Sequence, residues 1–319
     1  MTTEIVVLDS VPLDNGDLDW SPLRALGRVT FYDNTAPHQV VERIGDASIV
    51  FTNKVRIGGQ AIESASATRM IGVTATGYDV VDIEAARHNG ITVCNVPSYS
   101  SHFTAQTAFA LLLELAHHVG EHDQAVRDGQ WAAAGRFSFW NYPLIELNEK
   151  TLLIVGLGRI GQRMARIAEA TGMRVIAAAL PGRAAEPGPY PRIPLEEALP
   201  QADVISLHCP LTPATRGIVN AETLALMKPT AFIVNTARGL LIDEVALADV
   251  LHAGKIGGYA GDVLSVEPPA EDNPLLHAPR CIVTPHISWA SIECRQRLLS
   301  TSVENLRAFL SGAPQNVVS

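Results

Sequence analysis

The sequence lacks the cysteine patterns of disulfide-stabilised and metal-binding proteins. Its 319 residues include four cysteines, and no two of them have C-x-x-C spacing. Three lie in apolar, strand-like stretches, which is typical of reduced thiols packed in a core. The four are Cys94, Cys209, Cys281 and Cys294. We therefore expect neither disulfides nor a metal site.

Long hydrophobic runs and a surplus of positive charge are also missing. No apolar stretch approaches the length of a membrane span, and the first residues show no basic region followed by an apolar one. The net charge of −9 gives no general attraction for nucleic acid or an anionic membrane. We expect a cytoplasmic protein that acts on a small molecule, with local arginines to bind any anionic substrate.

What the sequence does contain is an alternation of short β-rich runs and helical stretches, which is typical of α/β folds with parallel sheets. A chain of this length predicts two domains. A first series of strands is predicted at 5–8, 29–32, 49–52, 70–74 and 91–95, and a second at 152–155, 175–179, 204–208, 232–235, 258–263 and 282–284.

Three helices and one loop are also predicted. A helix at 80–88 ends at Asn89-Gly90, and a mostly apolar, buried helix covers 102–118. The last helix covers 291–310. Residues 181–194 include five prolines, which exclude a regular helix or a central strand and predict an exposed loop.

A glycine-rich segment predicts a dinucleotide site. The strand at 152–155 runs directly into Gly156, Leu157, Gly158, Arg159, Ile160 and Gly161, and a helix follows. G-x-G-x-x-G between a strand and a helix allows a tight turn, close approach of the backbone to a pyrophosphate, and close packing of the helix on the strand. The amino terminus of that helix then faces the phosphate charge.

The end of the next strand bears on which coenzyme is used. An NAD site commonly has an acidic residue there, about 20 positions after the glycines, to bind the ribose hydroxyls. Here the strand ends at Ala179, and Arg183 and Arg192 follow in the proline-rich loop. NADP or NAD is therefore expected, with NADP favoured through Arg183, although this arginine is equally compatible with a solvated loop residue.

Three polar segments, each following a predicted strand of the second series, carry candidate catalytic residues: Arg238, Glu267 and His286. Reduction of a ketone places negative charge on its oxygen, which then needs a proton near neutral pH, and histidine suits that task. A carboxylate orients the imidazole and favours its charged form, and an arginine can bind the substrate carboxylate and polarise the carbonyl.

Together with His208-Cys209-Pro210-Leu211-Thr212, these segments resemble the D-isomer-specific 2-hydroxyacid dehydrogenase family over almost the whole chain. Within it, residues 75–82, 139–147 and 274–276 are most similar to glycerate dehydrogenases, also called hydroxypyruvate reductases. Two positions depart from the usual pattern: Asp79, where asparagine is common, and Gly261, where a larger apolar residue is common.

The resemblance implies an α/β fold of two doubly wound parallel-sheet domains. Residues 1–101 and 287–319 would form a discontinuous, flavodoxin-like substrate domain, and residues 102–286 a Rossmann dinucleotide-binding domain. It also implies a homodimer formed through the cofactor domains, in which the aromatic segment 131–142 makes contact and Trp140 helps to close the partner's pocket. Simple packing at the domain edge is an equal alternative for Trp140.

The resemblance assigns the remaining site residues as well. Backbone N–H groups of Ala75, Thr76 and Gly77 would bind the substrate carboxylate beside Arg238. The cofactor would contact the glycine-rich loop and four further positions, with the acid close to the nicotinamide. Those positions are His208, Pro210, Thr236-Ala237 and Asp262.

Several alternatives remain open at the level of sequence. A D-lactate dehydrogenase, a general glyoxylate reductase or a phosphoglycerate dehydrogenase of the same family would carry the same three residues. So would a dinucleotide-sensing protein that resembles the C-terminal-binding-protein corepressors. A metal site at His117, His118 and His122 is disfavoured, because no carboxylate–cysteine pattern surrounds them.

Overall fold

The computed structural model describes residues 3–181 and 188–319. It divides into two compact units, Met1–Ser100 with Trp289–Ser319 (unit 1) and Ser101–Ser288 (unit 2). The divisions expected from the sequence are at 101/102 and 286/287. No helix of the described residues is both long and apolar enough to cross a membrane.

The elements alternate along the chain. The strands are Glu4–Val7 (β1), Arg28–Phe31 (β2), Ile49–Thr52 (β3), Met70–Val73 (β4), Thr92–Cys94 (β5), Thr151–Val155 (β6), Arg174–Ala179 (β7), Arg192–Pro194 (β8), Val204–Leu207 (β9), Phe232–Asn235 (β10), Gly258–Gly261 (β11) and Cys281–Val283 (β12). The helices are Ser21–Arg24 (α1), Val40–Ile44 (α2), Gly59–Ser64 (α3), Ile83–His88 (α4), Ser101–His117 (α5), Val119–Arg127 (α6), Gln130–Ala134 (α7), Arg159–Ala170 (α8), Leu195–Ala198 (α9), Ala221–Ala225 (α10), Glu244–His252 (α11) and Ile292–Leu310 (α12).

Unit 1 is built on a five-stranded parallel sheet in the order β2-β1-β3-β4-β5, the flavodoxin-like order. Helix α12, from the end of the chain, packs Val303 and Leu306 against β1 and β3 residues such as Ile5 and Phe51. Ser291 caps this helix by accepting a hydrogen bond from Cys294 N. The final helix is therefore part of the core of the amino-terminal unit.

Unit 2 is built on a seven-stranded parallel sheet in the order β12-β11-β10-β9-β6-β7-β8, the doubly wound Rossmann order with one further strand. Each face of the sheet is covered by its own hydrophobic cluster. Helix α5 buries Leu111, Leu112 and Leu115 in one of them, which confirms the buried apolar helix. The α/β class with two parallel sheets is likewise confirmed.

Most predicted strand bounds are offset by about one residue, and three further differences have a local physical cause. The predicted exposed loop at 181–194 was wrong at its end, because Arg192–Pro194 forms edge strand β8 beside β7. Proline is compatible with an edge, where no neighbour requires its missing N–H. Helix α4 begins at Ile83 and not at residue 80, because the Asp82 side chain accepts from Ala85 N and caps it. Strand β11 ends at Gly261, two residues before the predicted end, because the Asp262 side chain accepts hydrogen bonds from the loop that follows β12.

Candidate active site

The candidate residues of unit 2 gather at one edge of its sheet. The parallel register places Val155, Leu207, Asn235 and Gly261 side by side on adjacent strands, and Gly261 pairs with Val283. The loops after these strands therefore emerge together at the carboxyl edge, where open α/β sheets bind their ligands. These loops carry the glycine-rich segment, His208, Arg238, Glu267 and His286.

His286 and Glu267 form a hydrogen-bonded pair. The distance from His286 Nδ1 to Glu267 Oε2 is 2.7 Å, and Glu267 Oε1 accepts from the backbone N–H of Leu264 at 3.0 Å. The carboxylate is thus fixed at both oxygens, and it accepts a hydrogen bond from the Nδ1–H of His286. The other ring nitrogen, Nε2, is then left to act on a ligand.

The turn that carries His286 is held by Asp262. His286 has a φ of 54°, in the left-handed region that a β-carbon disfavours, so neighbouring contacts must stabilise it. The fully buried Asp262 accepts three hydrogen bonds from residues on either side of that turn. Its Oδ1 accepts from Thr284 Oγ1 (2.6 Å) and Ile287 N (2.9 Å), and its Oδ2 accepts from Ser288 N (2.7 Å). From the sequence, Asp262 was expected only to contact the cofactor.

Arg238 presents an exposed guanidinium. Its Nη1 donates to Ala237 O at 2.7 Å, and no ion pair engages it in the described part of the chain. The buried Asn235 builds the turn that carries it: Asn235 Nδ2 donates to Arg238 O (2.9 Å), and Oδ1 accepts from Ala237 N (3.0 Å). Asn235 was not singled out from the sequence, although an asparagine at a buried strand end is a signal for such a turn.

The glycine-rich loop has the form that a bound pyrophosphate requires. Gly156 has a φ of 104°, and a β-carbon there would lie 2.4 Å from Cys209 N. A β-carbon at Gly161 would lie 2.3 Å from Gly156 O, so helix α8 packs directly on the turn. At Gly158, in contrast, a β-carbon would meet nothing within 4 Å. This open side faces the amino terminus of α8, which begins at Arg159-Ile160 with N–H groups that lack intrahelical acceptors.

Two polar side chains beside this loop, Thr236 and His208, are candidates for contact with a bound dinucleotide. Thr236 Oγ1 is buried without a hydrogen-bond partner among the described residues, so a polar group of a bound cofactor would satisfy it. His208 Nε2 lies 2.8 Å from Ser206 Oγ, and burial lowers the pKa of this imidazole to about 4. His208 is therefore neutral at physiological pH and adds no charge toward phosphates. Pro210, which follows, is exposed.

The adenosine end of such a ligand would lie near the end of β7. Ala179 pairs there with Pro194, and no carboxylate is part of either strand. Arg192, two positions earlier on β8, has a buried Nε that lacks a partner in the described residues. Arg183, named from the sequence as a phosphate ligand, lies outside the described residues.

In unit 1, the segment Ala75, Thr76 and Gly77 follows β4 at the carboxyl edge of its sheet. Asn95 Nδ2 donates to Thr76 O at 2.7 Å, and Thr76 Oγ1 donates to Val96 O at 2.9 Å. Within residues 3–181 and 188–319, the three backbone N–H groups of this segment have no hydrogen-bond acceptor. They are therefore available to an anionic ligand.

The histidines near the end of α5 have other partners. His118 Nδ1 lies 2.8 Å from Glu121 Oε2, and the His118 ring stacks on Tyr142. His122 Nε2 accepts from Asn141 N at 3.2 Å. No group of three or more potential ligands that could hold a metal ion occurs among the described residues.

Comparison with known proteins gives consistent matches over the whole chain. Residues 109–288 match the family model described as "D-isomer specific 2-hydroxyacid dehydrogenase, NAD binding domain". The chain is 49% identical to a hydroxypyruvate reductase of Blautia hydrogenotrophica, with 99% of each chain covered. It is 38% identical to a glycerate dehydrogenase of Methylorubrum extorquens, with 100% of this chain and 99% of the relative covered.

Among solved structures, one match is an NADPH-dependent glyoxylate/hydroxypyruvate reductase from Sinorhizobium meliloti, in complex with NADP and malonate. Its TM-score is 0.86 at 27% identity, and the match covers 100% of this chain and 97% of that one.

Proposed function

The chain belongs to the D-isomer-specific 2-hydroxyacid dehydrogenase family, and we propose that it uses NAD(P)H to reduce hydroxypyruvate or glyoxylate, giving D-glycerate or glycolate. The observation that carries this is the His286–Glu267 pair at 2.7 Å, on the same sheet edge as the exposed Arg238 and the glycine-rich loop. The 49% identity to a hydroxypyruvate reductase supports the choice of substrate.

Each residue of the site has a separate role in the reduction of the keto acid. Arg238 binds the substrate carboxylate and polarises the carbonyl, since its guanidinium is exposed and offers several donors in one plane. When bound, the reduced nicotinamide supplies a hydride to the carbonyl carbon. His286 donates a proton from Nε2 to the carbonyl oxygen as charge develops there, and Glu267 stabilises the imidazolium beforehand through Nδ1. In unit 1, the N–H groups of residues 75–77 would be donors to an anionic ligand, because they have no acceptor among the described residues.

The glycine-rich loop and the amino terminus of α8 would hold the pyrophosphate, because the backbone is open at Gly158 and the positive end of the helix dipole lies there. Thr236, Ala237 and Asp262 would lie beside the nicotinamide. Thr236 supports this through its buried hydroxyl, which needs a partner.

We propose that NADP is preferred over NAD. No acid stands at the end of β7, so the ribose hydroxyls lack an acceptor there, and a 2′-phosphate meets no carboxylate. Arg183, four positions after Ala179, would supply a charge-assisted hydrogen bond, which is roughly twice as strong as a neutral one. A preference of about ten-fold in kcat/KM follows from about 1–2 kcal/mol.

We also propose that the enzyme is a homodimer and that Trp140 helps to close the partner's substrate pocket. The support is the exposure of aromatic side chains in one short segment: Phe137 is 95% exposed and Trp140 66%. Contiguous exposed apolar surface of this kind marks protein interfaces. A cytoplasmic location, where thiols stay reduced, is consistent with four free cysteines.

A turnover assay tests the function. Purified protein is mixed in turn with hydroxypyruvate, glyoxylate, pyruvate and 3-phosphohydroxypyruvate, with NADPH and NADH separately, and oxidation of the coenzyme is followed. We expect the highest kcat/KM with hydroxypyruvate or glyoxylate. Faster turnover of pyruvate or the phosphorylated acid would reassign the substrate, and coenzyme binding without turnover of any acid would indicate a sensing protein.

A further inference from the structure

A tyrosine occupies the space that a side chain at position 261 would need. Tyr259 lies on β11 and is 1% exposed, and it is the largest fully buried side chain among the described residues. A β-carbon built on Gly261 would lie 2.1 Å from Tyr259 Oη and 2.7 Å from its Cζ. Residues two apart on a strand share a face, so the phenol runs along β11 and ends above Gly261. The glycine and the tyrosine therefore depend on each other.

The phenol ends beside the residue that shapes the Arg238 turn. In the parallel register of β10 and β11, Gly261 pairs directly with Asn235. A group that lies over Gly261 is thus next to Asn235, so the Tyr259 hydroxyl and the Asn235 side chain are neighbours. Burial raises the pKa of Tyr259 above its ordinary value, so the hydroxyl remains protonated at physiological pH.

Asn235 in turn fixes the backbone that carries Arg238. Its amide bonds to Arg238 O and Ala237 N are 2.9 and 3.0 Å long, and its own burial is complete. A rotation of this amide would break both bonds. The Tyr259 hydroxyl, which lies over Gly261 next to Asn235, would restrict that rotation.

We propose that Tyr259 is a positioning residue of the active site: its phenol, seated over Gly261, holds Asn235 and through it the turn that presents Arg238. Tyr259 lies in the core and acts through the turn, not on the substrate itself. The proposal rests on the proposed function, since it assigns Arg238 to the substrate carboxylate.

The main test is Tyr259→Phe, which keeps the ring and removes the hydroxyl. Loss of one buried polar contact predicts a loss of about two- to ten-fold in kcat/KM for hydroxypyruvate, shared between a higher KM and a lower kcat. The Kd for NADPH should stay unchanged. The matched control is Tyr190→Phe, which removes a hydroxyl that donates to Glu169 Oε2 at 2.9 Å, near the carboxyl end of α8. It should leave all three constants unchanged.

A coupling experiment separates positioning from general stability. In an Arg238→Lys background, Tyr259→Phe should cause no further loss, because the group that it positions is gone. An equal loss in both backgrounds, or wild-type KM and kcat in Tyr259→Phe, would overturn the proposal.

The steric dependence of Gly261 on Tyr259 is tested by moving the large side chain from position 259 to position 261. Gly261→Leu alone should lower the melting temperature, and the double variant Tyr259→Ala/Gly261→Leu should recover much of it because the core volume is restored. This folded double variant should still show the raised KM. Recovery of full activity along with stability would reduce Tyr259 to a packing residue.

A failure of the proposed function is distinguishable from a failure of this inference. If the wild type reduces neither hydroxypyruvate nor glyoxylate, the affinity of the protein with NADPH for oxamate, an unreactive 2-keto acid mimic, is measured instead. Weaker oxamate binding in Tyr259→Phe but not in Tyr190→Phe would support the inference without any turnover. Equal binding in the wild type and both variants would refute it.

Discussion

Replacing Asp262 with asparagine tests whether one buried carboxylate fixes the His286 turn. The substitution keeps the shape of the side chain but turns one acceptor oxygen into an amide donor. Because the two oxygens accept from Thr284, Ile287 and Ser288, at least one of these donors must then face an NH₂ group. Asp262 is fully buried, so water cannot take the place of the lost acceptor.

The magnitude follows from the number and type of bonds. An orphaned buried donor costs about 1–3 kcal/mol, and the remaining bonds lose their charge assistance. Removal of a buried charge offsets part of this, so we expect the free energy of unfolding to fall by about 2 kcal/mol. For a unit of this size that corresponds to roughly 4–8 °C in melting temperature.

Calorimetry on the wild type, Asp262→Asn and Thr284→Val measures this. Thr284→Val removes a single donor and should cost about 1 kcal/mol. We also expect kcat to fall in Asp262→Asn, because the left-handed backbone at His286 loses its restraints. An Asp262→Asn protein that melts and turns over like the wild type would refute the role of these three bonds.

Four further outcomes are expected. His286→Ala should lower kcat by about 10²–10⁴-fold without loss of coenzyme binding, and near-wild-type turnover would remove its role as the acid. Arg238→Lys should lower kcat/KM for the keto acid, because an ammonium lacks the planar donors; full activity would make the arginine a scaffold residue. NADPH should outperform NADH, with the gap narrowed by Arg183→Ala and reversed by Ala179→Asp, and a wild-type preference for NADH would contradict the argument. Trp140→Ala should change the preference among keto acids at unchanged melting temperature, whereas destabilisation alone would indicate packing.

Periodic patterns in the sequence predicted most of the architecture. The strand at 232–235 coincides with β10, and the helix at 102–118 is offset by one residue from α5. Buried parallel strands leave continuous apolar runs, and a buried helix leaves an apolar stretch with no polar face, so both are visible locally.

Boundaries were less predictable where one polar side chain decides them. Asp82 moved the start of α4, and Asp262 ended β11, in each case by accepting backbone hydrogen bonds. Strand β8 was missed because Pro191 just before it and Pro194 at its end are compatible only with an edge strand, and edge position is a property of the whole sheet.

In the active site, too, only part of the structure could be predicted from the sequence. The residues that carry the chemistry, such as Glu267 and His286, could be named because the reaction demands those side chains. The residues that hold them could not. Gly261 was visible as a departure from the family pattern, but its cause is Tyr259, and the pair is recognisable only when the phenol is seen over the glycine.

The two outer strands of the seven-stranded sheet also bear on how the protein behaves in concentrated solution. Strands β8 and β12 are three residues long; Pro191 precedes β8, Pro194 is its last residue, and Pro285 lies two residues after β12. An edge this short offers few unpaired backbone groups to a neighbouring molecule, and proline removes donors from it. The wide, apolar sheet that builds the cofactor domain therefore ends in borders that resist strand-to-strand aggregation.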